Sequence, residues 1–155
     1  MTPRARRAAR VCALIAALSV AASCATAIGT PTPTPGDIEA IAAALARQGI
    51  GISNVVGGDS GCADPSLTGT ALSFEASGVD QTSPVTIHLY SFRSRAVFES
   101  RRDSVDACAR SYVHDPSTYE NVAVSPYIAA GQGPWAPEFK ARFEQGLTQA
   151  AGSGG

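Results

Sequence analysis

The chain has 155 residues, of which 45% are hydrophobic and 16% charged, with a net charge of -1. That length suits one domain whose core buries about two-thirds of the unfolded surface, and the composition excludes a disordered or polyionic chain. A balance so close to neutral leaves no electrostatic footprint for nucleic acid.

Residues 1–23 read as an export signal. Arg4, Arg6, Arg7 and Arg10 form a positive head, followed by a small and apolar run from Val11 to Ala22 that is too short to span a bilayer. Ala21-Ala22-Ser23-Cys24 resembles the lipobox of bacterial lipoproteins, departing from it at Ala21, where leucine is usual. The resemblance implies acylation of Cys24, which would begin the mature chain and hold it at the outer face of the cell membrane. Each buried methylene of such an anchor contributes about 0.8 kcal/mol. Ala25-Thr26-Ala27 is a competing A-x-A site, and cleavage there would discard Cys24 and release an unlipidated secreted domain. Losing residues 1–23 removes four arginines and no acid, leaving eight basic against thirteen acidic residues, a balance of -5. That sign opposes attraction to anionic lipid or nucleic acid.

Residues 24–36 form a linker. Thr30-Pro31-Thr32-Pro33-Thr34-Pro35-Gly36 alternates proline with threonine, which favours an extended polyproline II spacer. With Cys12 inside the signal and Cys24 at the anchor, Cys62 and Cys108 remain as a pair, expected to be a disulfide in an oxidising compartment. A redox role would want a C-x-x-C pair, which the sequence lacks.

The folded unit is expected over 37–150, with 151–155 as a disordered tail. Asp37 can cap a first helix carrying Ile38, Ile41 and Leu45 on one stripe and ending at Gly49. Ile50 to Val56 reads as a strand, broken by the turn cluster Gly57 to Gly61. Leu72, Phe74 and Ala76, then Val85, Ile87 and Leu89, alternate with polar neighbours and predict a second and third strand in an antiparallel meander. A second helix is predicted from the N-cap Ser94 to about Tyr112, with Phe98, Val105, Cys108 and Tyr112 inward. Glu120 to Val124 predicts a fourth strand stopped by Pro126, and Pro137 opens a last helix bearing Phe139, Phe143 and Leu147. The expected fold is therefore α+β in the order α-β-β-β-α-β-α, a mainly antiparallel four-stranded sheet with helices packed on one face and one disulfide.

Candidate chemistry is sparse. Gly58-Asp59-Ser60-Gly61 resembles the sequence around the nucleophile of chymotrypsin-like serine proteases, but in that family the histidine precedes the serine, whereas His88 and His114 both follow it. A tight turn beside the disulfide explains the same four residues. If the outer sheet face is open, His88, Tyr90, Ser73 and Glu75 would make a polar-aromatic patch for a ligand or partner. An ordinary solvated face is the plainer account. Within the expected loop Tyr127 to Trp135, Trp135 is either an exposed anchor for a partner or a lid over the core. His88 and His114 form no ligand cluster by spacing, so no metal or cofactor is expected, nor any catalytic residue. The sequence thus predicts an exported, lipid-anchored envelope protein that binds a small ligand or another envelope protein through His88, Tyr90, Tyr127 and Trp135. The alternative is a small secreted hydrolase using Ser60.

Overall fold

The computed structural model describes residues 38–152. The signal, the Thr-Pro linker and the anchor candidate Cys24 lie outside them. Helix α1 (Ile38–Arg47) buries Ile41, Ala44 and Leu45, and Gly49, at φ 79°, turns the chain into strand β1 (Ile50–Gly57). A one-turn helix α2 (Pro65–Thr68) follows, then β2 (Ala71–Gly78) and β3 (Gln81–Ser91). Helix α3 (Arg95–Tyr112) starts where Ser94 accepts a hydrogen bond from the Val97 amide. A 3-10 turn (Pro116–Thr118) leads to β4 (Tyr119–Val124) and β5 (Tyr127–Gln132), and helix α4 (Pro137–Gly152) closes the fold.

The α+β class and the single antiparallel sheet agree with the sequence reading, but the sheet has five strands, in the order β1-β2-β3-β5-β4. The additional strand is Tyr127–Gln132, expected as a loop. It lies between β3 and β4, and its first five residues are all buried, so it shows no polar alternation to read. The last helix also continues through Ala151 and Gly152 into the expected tail.

A second correction concerns the faces. Side chains alternate across a sheet, so Leu89 and Tyr90, or Ala129 and Ile128, point to opposite sides. Ile87, Leu89 and Ala129 join Ile41, Leu45, Phe139, Phe143 and Leu147 in one core, beneath α1 and α4. Tyr90, Ile128 and Ala130 join Phe98, Val105, Cys108 and Ala109 in another, beneath α3. Helices therefore cover both faces rather than one. Phe139, Phe143 and Leu147 are completely buried, each contributing about 1.5–3 kcal/mol of apolar burial.

Helix α4 receives its cap from elsewhere in the chain. Asp80, in the turn between β2 and β3, accepts from the amides of Glu138 (3.1 Å) and Phe139 (2.7 Å), while Gln81 accepts from that of Ala136 (2.9 Å). Two short motifs cap locally: in Asp64-Pro65-Ser66 and Asp115-Pro116-Ser117 the aspartate accepts from both the amide and the hydroxyl of the serine.

Candidate functional site

The register places Ser73 opposite His88 and His88 opposite Ala130, with Ala71, Tyr90 and Ile128 forming the next row on the same face. Of the expected exposed patch, Ser73, His88 and Tyr90 are buried, whereas Glu75 is half-buried and accepts from the Asn54 side chain at 2.8 Å. The loop following β1 folds back over this face and is anchored first by the Gly58 amide on the Ala71 carbonyl at 2.9 Å. Disulfide Cys62–Cys108 then ties the loop to α3, with the two Cα atoms 5.5 Å apart.

Asp59 organises the loop's contact with the sheet. One carboxylate oxygen accepts from the Gly61 amide (2.9 Å) and the other from the Ser73 hydroxyl (2.6 Å). The Ser73 hydroxyl, more than any other neighbour, holds the Asp59 carboxyl below the ordinary carboxylate range; the Gly61 amide and His88 act in the same direction against the opposing effect of burial. Asp59 is therefore ionised at neutral pH. Its backbone oxygen lies 3.3 Å from His88 Nδ1, and its nearer carboxylate oxygen 3.9 Å from the same nitrogen. Next in the loop, the Ser60 carbonyl accepts from the Tyr90 hydroxyl at 2.8 Å and touches Cys108 Sγ at 3.1 Å. Burial pushes the Tyr90 phenol up to about 12, so it stays a neutral donor.

The Ser60 hydroxyl donates to the Cys62 carbonyl at 3.0 Å, and the residue is only 3% exposed. It is occupied in holding the loop, with no hydrogen bond to a histidine among the described residues. The turn account of Gly58-Asp59-Ser60-Gly61 thus has direct geometric content: an Asx turn whose serine bonds two residues ahead.

The four residues proposed as one binding surface do not form one. Tyr90, Tyr127 and Trp135 are buried, and His88 is 8% exposed. They also divide between the two faces: Tyr127 and Trp135 belong to the core under α1 and α4, Tyr90 to the core under α3. Trp135 is a lid. Its ring packs edge-on to Phe139 and tilted on Phe143, and its indole N–H donates to the Gln132 carbonyl at 3.2 Å.

His88 nevertheless borders open space. A concavity of about 290 Å³ lies between β3 and the end of α3, lined by Thr86, His88, Tyr112, His114 and Gln132. The Tyr112 ring packs against the His88 imidazole with centroids 4.4 Å apart. Burial carries the Tyr112 phenol well above the ordinary tyrosine range, so this wall is neutral too. Gln132 accepts the His114 amide at 2.8 Å and donates to Thr118, fixing the segment beyond α3 to β5. Sequence reading singled out His88 but joined neither Tyr112, His114 nor Gln132 to it. The one available signal was Thr86, on the same strand face as His88.

No family model, curated protein or solved structure matches the chain.

Proposed function

We propose that the chain is an exported cell-envelope protein, anchored through an acylated Cys24, that works as a noncatalytic binding module and receives a small ligand at the concavity beside His88. The observation that carries this reading is disulfide Cys62–Cys108. Such bonds persist in oxidising compartments, and this one also fixes the loop that packs against His88, so it supports both export and a preformed site. The basic, apolar N-terminus and the lipobox-like Ala21-Ala22-Ser23-Cys24 supply the address and the anchor. The bonding of Ser60 within its own loop favours a binding module over a hydrolase.

Mass spectrometry of the protein recovered from its native membrane tests the reading. The expected result is a mature chain beginning at an acylated Cys24, with Cys62 and Cys108 oxidised. A chain beginning at Ile28 would overturn the anchor in favour of a secreted domain cleaved after Ala27. Intact Met1 with two free thiols in that pair would overturn export itself.

A further inference from the structure

We propose that the concavity is a divalent transition-metal site whose protein ligands are His88 and His114. This rests on the concavity being the binding site of the module. The chain contains only these two histidines, and although they are far apart in sequence the fold brings both to the lining of one small cavity.

The bonding around His88 is that of a prepared ligand. Its Nδ1 faces the Asp59 carbonyl at 3.3 Å, which assigns the proton to that nitrogen and leaves a lone pair on Nε2. Among the described residues no buried side-chain nitrogen or oxygen lacks a partner. No hydrogen bond engages Nε2 among the described residues, so that nitrogen keeps some access to solvent, and His88 lines the concavity. Behind the ring, the Asp59 carboxylate lies 3.9 Å from Nδ1 and is itself held by Ser73 and Gly61. A histidine whose remote N–H is held by a carbonyl or carboxylate is the arrangement that orients metal-bound imidazoles and raises their basicity. The Tyr112 ring fixes the imidazole from the side.

His114 supplies the second imidazole. Its amide is held by Gln132, while its side chain is exposed and makes no hydrogen bond among the described residues. Imidazole nitrogens as ligands select copper, nickel or zinc over magnesium or calcium, which prefer oxygen ligands. No group of three or more His, Cys, Asp and Glu side chains converges among the described residues. Water would therefore complete the coordination, giving an open, exchangeable site rather than a closed structural one.

The test uses untagged mature protein titrated with zinc alone near neutral pH, followed by nitrogen-detected NMR of the two imidazoles and by calorimetry. One zinc per chain should shift both imidazoles, and either His88→Ala or His114→Ala should weaken binding at least about tenfold. The exposed position of His114 keeps that variant folded, which circular dichroism verifies. Unchanged affinity in both variants, or a shift of His114 alone, overturns the proposal. If zinc moves neither imidazole while an organic ligand extracted from the native envelope moves both, the metal assignment falls and the binding module stands. If neither zinc nor the extract moves them, the binding reading falls with it.

Discussion

Gly58 and Gly61 share a left-handed backbone, at φ 76° and 73°, but not a neighbourhood. A Cβ at position 58 would meet the Thr68 methyl at 3.8 Å, an ordinary contact. At position 61 it would lie 2.6 Å from Tyr112 Cδ1 and 2.9 Å from His88 Cε1, inside the packed ring pair that borders the concavity. The two alanine variants therefore separate conformation from packing. Gly58→Ala should cost about 1 kcal/mol, the penalty of the backbone conformation alone. Gly61→Ala adds overpacking of about 1–3 kcal/mol and should also displace the His88 ring. Urea unfolding of the two variants, with the imidazole resonances as a local probe, checks this. Equal losses at both positions would show that the loop does not press on the rings. The same crowding explains why Gly61 belongs in the loop: the chain lies closer to the Tyr112 and His88 rings than any side chain permits.

At the scale of elements, the joint between the β2–β3 turn and α4 depends on a side chain at the helix N-terminus that is remote in sequence. Asp80→Ala removes the acceptor for the amides of Glu138 and Phe139 and should cost about 1 kcal/mol. Hydrogen exchange should rise in the first turn of α4, while Asp80→Asn should recover most of the loss, since asparagine caps nearly as well. Equal loss in both variants would point to the charge rather than the cap. Elements of this kind were unevenly legible from sequence. Helix α3 was readable to its ends, because Ser94 caps it locally and Phe98, Val105 and Cys108 mark its stripe. The strands β1 to β3 were readable from alternation and turn residues, and Cys62 and Cys108 from their being the last pair. β5 was not, because Tyr127, Ile128, Ala129, Ala130 and Gly131 are buried on both faces and followed by Gly133-Pro134, which signals a turn. A short apolar run was the available sign. Which face α3 covers is a property of connections rather than of its own periodicity, and that single unknown made Tyr90 look exposed. That His88 and His114 line one concavity depends on the same placement, so spacing along the chain could not reveal it.

At the scale of the molecule, the sheet separates two cores of unequal support. The core under α1 and α4 is closed by Phe74, Trp135, Phe139 and Phe143 packing ring against ring. The core under α3 contains the disulfide, whose cysteines are 46 positions apart. In the chain-entropy account a loop of that size contributes about 4 kcal/mol, before any native strain is subtracted. Reduction should therefore lower the melting temperature, on the order of 10 °C for a domain of this length, and should do so unevenly. The segment from Gly58 to Asp64 loses its tie to α3, so its amides should exchange faster, whereas those of α4 keep their aromatic packing and change least. Calorimetry and hydrogen exchange with and without reductant measure both effects, with Cys62→Ser/Cys108→Ser as the irreversible counterpart. A uniform rise in exchange across both cores would mean that the two faces unfold as one cooperative unit. An uneven rise would assign the disulfide a narrower role: the segment it frees carries Asp59 and Gly61, whose contacts orient His88, so ligand affinity at the concavity should fall under conditions in which most of the fold persists. Binding at the proposed site would then depend on an oxidising compartment, which the proposed export would supply.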